Sequence, residues 1–212
     1  MGTVYAVGVG PGSQDYVTDV EEFLSDKEVY EITMHSQEEV YQKIKTKLGN
    51  KTLMVPFTGD VNFSESEVVD RLIEIFGEVY VIPGISSIQV AAAKARVPLD
   101  KAKVITMHIT TSIEAKKFEL QKALLDGLSV ILVPRPWPKN PEKNFMPSEI
   151  AVYLKKNGFD TSKIKVHVFE SLTNSNESAF VGMVSELEGK VFSDLTVMVF
   201  NQTNLESYAS FA

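Results

Sequence analysis

The sequence predicts an α/β protein made of two domains. Short β-branched and aromatic runs alternate with longer segments of helical periodicity. Gly, Pro or a capping residue marks most of the switches between them. A polar stretch, Ile109-Thr110-Thr111-Ser112, then interrupts the series about midway and separates 1–108 from 109–212.

The first domain reads as follows. Val4–Val9 is a buried strand running directly into GVGPGS, where Gly8, Gly10 and Gly12 let the backbone turn tightly and approach a ligand. The loop breaks the dinucleotide fingerprint, with Ser13 in place of its third Gly and Pro11 inside it. Thr18–Glu21 is a capping box, opening a helix with Val20 and Leu24 on its inner face. Lys27–Thr33 suits a short second strand. Ser36–Glu39 caps a helix carrying Val40, Ile44 and Leu48, stopped by Gly49. Lys51–Phe57 is a third strand, followed by the loop TGDVNFSE. Ser64–Glu67 caps a helix with Val69, Leu72, Ile73 and Phe76 on one side and Gly77 as its stop.

Val79–Ile82 is a fourth, buried strand. Pro83-Gly84 turns the chain, and Ser86 or Ser87 caps a helix whose alanines permit close packing. A strand tip, a Gly turn and an open helix N-terminus together suit a small ligand, though any α/β connection has these parts. Val104–Met107 is a fifth strand, and the five make one parallel, helix-covered sheet.

In the second half, Glu114–Asp126 is a helix with Phe118, Leu124 and Leu125 as core candidates. Leu128–Val133 is an apolar strand. The segment 134–147 holds five prolines and the only Trp, so it is irregular. Ser148–Asn157 is a helix; Lys163–Glu170, Ala179–Val184 and Leu195–Phe200 are strands.

Bulk properties narrow the function. With 212 residues, 44% hydrophobic and 23% charged, the composition is that of a soluble protein. No apolar run approaches a membrane span, and MGTVYAVGVG lacks the basic region of a signal peptide, so a cytoplasmic location and no membrane partner are expected. Without cysteine there is no disulfide, thiolate metal site or Cys nucleophile. His35, His108 and His167 fit no metal-ligand spacing, and no metal is expected. A net charge of −7 argues against nucleic acid.

Three loops at strand tips, GVGPGS, TGDVNF and PGISSIQ, resemble in order and spacing the tetrapyrrole methylase family. Within it, PGISSIQVAAAKARVPLDKAKVITMH, with His108 ending the strand, looks most like the branch that methylates C-5 of a cobalt-precorrin in anaerobic cobalamin synthesis. The resemblance implies two α/β domains with S-adenosyl-L-methionine in the cleft between them, S-adenosyl-L-homocysteine as product, a tetrapyrrole substrate and a homodimer. It implies cofactor contacts at Pro11, Thr58, Gly59, Asp60, Phe63, Ser86, Ser87 and, at the end of the second domain's apolar strand, Val133 or Pro134. Gly10, Gly12 and Arg135 are the substrate candidates, with Lys94, Arg96, Lys101, Lys103, Lys139 and Lys143 as further cations for a substrate rich in carboxylates. Trp137 either stacks on the macrocycle or packs on its own loop. Where the family has Pro after the loop Asp, this chain has Val61. Asp60 and Glu170 are possible proton acceptors; no catalytic residue is assigned. Other acceptors within the family, or a nucleotide-binding α/β module, are the alternatives.

Overall fold

The computed structural model describes residues 2–12, 37–63, 66–109, 111–137, 139–140 and 142–202. The capping box at Thr18–Glu21, the helix bearing Val20 and Leu24, the strand at Lys27–Thr33, and the caps at Ser36 and Ser64 lie outside the described residues. The chain divides into two compact units, Met1–Ser86 and Ser87–Ala212.

The first unit contains β1 (Val4–Gly8), α1 (Gln37–Leu48), β2 (Leu53–Phe57), α2 (Ser66–Phe76) and β3 (Tyr80–Ile82). Its sheet has the order β2-β1-β3, all parallel. Gly8 sits opposite Phe57, and Val7 opposite Ile82. The C-terminal ends of the three strands therefore lie side by side. Val4, Ala6, Val55 and Phe57 alternate inward, as a strand period of two requires. They meet Tyr41 and Ile44 of α1, and Leu72, Ile75 and Phe76 of α2. Ile73, expected inside, is 44% exposed, and Ile75 takes its place. The helix axis is rotated so that Leu72, Ile75 and Phe76 form the i, i+3, i+4 stripe. β3 was expected to be buried, yet Tyr80 and Val81 are exposed. Among the described residues it lies at the edge of the sheet, with β1 as its one neighbour.

The second unit contains α3 (Ser87–Ala95), β4 (Ala102–Thr106), α4 (Glu114–Leu125), β5 (Ser129–Val133), α5 (Pro147–Lys156), β6 (Lys165–Glu170), β7 (Ser178–Met183) and β8 (Thr196–Phe200). The strand order is β4-β5-β8-β6-β7; β4 and β5 are parallel and the remaining pairs antiparallel. Val130, Leu132, Val166, Val168, Met198 and Phe200 form the core with Leu120 and Leu124 of α4 and Ile150 and Leu154 of α5. The alternate residues Ile131 and Val199 are also fully buried, and α3 packs against β5 and β8. Among the described residues no helix is long and apolar enough to cross a membrane.

Two expectations are corrected here. The strand expected as the fifth of the N-terminal sheet, β4, pairs with β5 instead and lies in the second compact unit. Propensity identified the strand; its long-range partner leaves no local trace. In α4, Phe118 and Leu125 are 67% and 76% exposed. They share the face opposite Leu120, Ala123 and Leu124, because seven residues make two helical turns.

The β6–β7 connection is tied to α3. Glu177 accepts from Lys94 Nζ at 2.6 Å and from the Thr173 N–H at 2.7 Å. Thr173 has φ 69, a left-handed conformation that β-branched residues seldom adopt. The Lys94 bond first, then the Thr173 N–H, hold the Glu177 carboxyl below its ordinary value of 4.5. A carboxyl lowered in the folded state contributes its stability above the unfolded value and loses it as the pH falls. Glu177→Gln should therefore lower the Tm at neutral pH, and the gap to wild type should close as the pH drops below 4.5. Thermal melts across that range check this; a constant gap would remove Glu177 from the acid response.

Candidate cofactor site

Three loops leave the adjacent tips of β1, β2 and β3, and the backbone stitches them together. The Val9 N–H donates to the Phe57 carbonyl at 2.9 Å, and Gly10 and Gly59 exchange N–H···O bonds in an isolated bridge. Gly59 has φ 79, and Gly10 has φ 93, conformations that favour glycine. Ser86 comes next: its Cα lies 3.7 Å from where a Cβ on Gly59 would stand. The structure thus gathers Gly10, Gly59, Asp60 and Ser86 within the first unit, with Pro11 and Gly12 on the continuing first loop. Ser86 is buried, Pro11 and Phe63 half-buried, Thr58 and Gly12 exposed. Ser87 opens α3 in the second unit.

Gly8 and Gly84 hold the tightest point. Neither has a positive φ; their need for glycine is spatial. A Cβ on Gly8 would meet the Gly59 carbonyl oxygen and the Gly84 nitrogen, both at 2.6 Å. One on Gly84 would meet the Gly8 carbonyl oxygen at 2.5 Å. Gly8, read from the sequence as a place for close approach to a ligand, is approached by protein backbone. Gly84, read as a turn residue, is the crossing point of all three loops. The only local signal for this was glycine itself.

Asp60 lies between the second and third loops. Its Oδ1 accepts the Asn62 N–H at 2.8 Å and its Oδ2 accepts the Gly84 N–H at 2.9 Å. The Phe63 N–H closes the turn onto the Asp60 carbonyl at 3.1 Å. Val61, which stands where the resembling family has Pro, is fully buried in the first unit's core. It anchors the loop by burial, where Pro would have acted through its fixed φ. Asp60 is the only charged residue in 8–12, 57–63 and 83–86. With no Lys or Arg among them, these loops suit a cationic ligand better than a phosphate.

The other expected site residues belong to the second unit. Pro134 is buried at the end of β5. Arg135 follows it, and its backbone exchanges hydrogen bonds with Phe145 at 3.1 and 2.9 Å, pinning the Pro-rich excursion at its base. Arg135 is only 4% exposed, and its guanidinium is stacked 3.7 Å from the Trp137 ring centroid. Burial pulls its pKa below the ordinary arginine range. Trp137 therefore packs within its own loop, with its N–H of the backbone donated to Asn144 Oδ1 at 2.9 Å. Of the other cations, Lys94 is bound to Glu177, and Lys103 to Glu119 at 2.7 Å; Lys139 and Lys143 are exposed. Glu170 accepts from Ser178 Oγ and the Ser193 N–H. His108 is exposed after β4, and its N–H donates to Thr106 Oγ1 at 3.2 Å.

The sequence profile described as Tetrapyrrole (Corrin/Porphyrin) Methylases matches residues 19–188. The chain belongs to the tetrapyrrole methylase family. Its members are methyltransferases that use S-adenosyl-L-methionine, and the expected enzyme class and cofactor stand with that membership. A curated relative from Methanocaldococcus jannaschii, named probable cobalt-precorrin-7 C(5)-methyltransferase, is 29% identical and spans 93% of this chain and 97% of its own. Among solved structures, the methyltransferase CobJ superposes with a TM-score of 0.72 at 15% identity, covering 95% of this chain and 94% of its own. Precorrin-6Y methylase (CbiE) from Archaeoglobus fulgidus gives 0.56 at 16% identity, covering 96% and 100%. At these identities the superpositions establish the tetrapyrrole methylase fold.

Proposed function

We propose that this tetrapyrrole methylase transfers a methyl group from S-adenosyl-L-methionine to C-5 of a cobalt-precorrin, in cobalamin biosynthesis, as a cytoplasmic homodimer. The observation that carries the site is the interlocking of the three strand-tip loops through Gly8, Gly59 and Gly84. The acceptor is supported by the near full-length likeness to the Methanocaldococcus jannaschii relative.

The loops fit the cofactor chemically: their one charge is anionic and the cofactor is a sulfonium cation bearing an ammonium group. Pro11, Thr58, Gly59, Asp60, Phe63, Ser86 and Ser87 would hold it, with Pro134 as a further contact, and Gly10, Gly12 and Arg135 would meet the substrate. When bound, the cofactor supplies a methyl already activated for attack by an electron-rich ring carbon. The chain's contribution is alignment, which brings reacting atoms to about 3–3.5 Å and can lower the barrier by several kcal/mol. Loops braced by backbone hydrogen bonds are suited to that task, since they need little reorganisation on binding. Asp60 offers an anionic environment, and Arg135 a cation for a peripheral carboxylate of the macrocycle.

Incubation of the full chain with cofactor and the cobalt-precorrin under anaerobic conditions should add one methyl by mass, located at C-5 by NMR. Calorimetry should show saturable binding of S-adenosyl-L-homocysteine. Binding without transfer would reassign the acceptor; no binding would remove the enzyme reading.

A further inference from the structure

We infer that Asp60 is a positioning residue, whose carboxylate clamps the Pro83-Gly84 turn to the second loop and so sets the place of Ser86. The consequence for cofactor affinity rests on the methyltransferase reading above; the clamp itself does not.

The bond from Asn62 to Oδ1 is local and common for Asp in a turn. The bond from the Gly84 N–H to Oδ2 is different. It spans from the second loop to the third, at 2.9 Å, in a half-buried setting. Gly84 lies two residues past the end of β3, beyond Pro83, where the pairing with β1 has ended at Ile82. A half-buried backbone N–H has to be satisfied, and a carboxylate is the strongest acceptor for it. Three constraints then fix Asp60 in turn. Its neighbour Val61 is fully buried, its carbonyl accepts from Phe63, and its Oδ1 accepts from Asn62. Each carboxylate oxygen already receives an N–H from the protein. The side chain is therefore a strut between two loops, set before any ligand arrives. Ser86, two residues beyond Gly84, packs against Gly59 of the same second loop. Release of the strut frees the third loop from the second at the point where both must face one ligand.

The test uses the full chain labelled with 15N and free of ligand. Asp60→Asn keeps the size but offers one acceptor oxygen to two N–H donors; Asp60→Glu keeps the charge but displaces it by a methylene. In both, the Gly84 amide proton should shift upfield and exchange about tenfold faster, as expected for a lost bond to a charged acceptor. Amides in β5 and β8 should be unchanged, which separates the effect from general unfolding. Affinity for S-adenosyl-L-homocysteine should fall in both variants, and the charge kept by Glu should not restore it. An unchanged Gly84 amide in Asp60→Asn overturns the clamp whatever happens to binding. Normal affinity in Asp60→Glu with a shifted Gly84 amide also overturns the positioning role. If the wild type binds no S-adenosyl-L-homocysteine while the Gly84 signature holds, the clamp stands and the functional reading fails.

Discussion

Gly84→Ala should strongly weaken binding of S-adenosyl-L-homocysteine and lower the stability of the first unit. The new methyl would stand 2.5 Å from the Gly8 carbonyl oxygen and 2.6 Å from the Gly8 carbonyl carbon. These are backbone atoms of the central strand, so no flexible side chain can move aside. Overpacking of this kind costs about 1–3 kcal/mol. The first unit can recover that energy only by letting the third loop retreat from the first two. That movement breaks the Asp60–Gly84 bond. Binding should fall by well over ~10-fold, since tenfold is only ~1.4 kcal/mol. Gly8→Ala should act alike, because its methyl meets the same crossing from the other side. Gly49→Ala serves as the control. Its Cβ meets nothing within 4 Å, so only its positive φ of 55 is penalised, far from the loops' crossing. Calorimetry and thermal melts on the three variants decide the matter. Wild-type affinity in Gly84→Ala would show that the loops can separate without harm to the ligand.

Arg135→Ala should depress kcat/KM for the tetrapyrrole by about tenfold or more, the scale of a lost charged hydrogen bond, while affinity for S-adenosyl-L-homocysteine stays near wild type. Arg135 is a buried cation stacked on Trp137 at 3.7 Å, a contact worth roughly 0.5–2 kcal/mol. The planar guanidinium is oriented by that ring and by the Phe145 bridge beneath it. Arg135→Lys should fail to restore turnover, because an ammonium neither stacks as a plane nor binds a carboxylate through two parallel bonds. Steady-state kinetics with each substrate varied, alongside melts, separate the outcomes. A lower Tm with unaltered kcat/KM would leave Arg135 as a loop brace and remove it from substrate recognition.

Local signals in the sequence went a long way toward the fold. The helical stripes of Val40 and Ile44 and of Leu72 and Phe76, the glycine stops at Gly49 and Gly77, and the apolar run of β5 all correspond to elements of the structure. Partnership between strands was less legible. The β-branched pair Val104-Ile105 marks a strand, but nothing near it states that Val104 pairs with Ile131 rather than with β3. The face of a helix was also ambiguous where apolar residues occur all round, as with Phe118 and Leu125 on α4. At the site, the three loops were visible as Gly-rich strand ends, and their convergence follows from parallel strands in the order β2-β1-β3. The Gly8–Gly84 crossing and the second bond of Asp60 were not visible, because both join residues distant in sequence. The stack of Arg135 on Trp137 was within reach, since the two are two positions apart in a loop stiffened by proline.

The pairing pattern of the two sheets bears on the order in which the molecule assembles. β1 must find Leu53 and Tyr80 far along the chain, whereas β6 and β7 meet through a short connection from Glu170 to Ser178. Distant pairings form late because loop closure costs entropy before contacts repay it. Loop-closure entropy favours early formation of the β6–β7 hairpin and late convergence of the three strand-tip loops. A bound sulfonium ligand present during refolding should thus speed nothing at the start, and act only by trapping the finished N-terminal sheet against reopening.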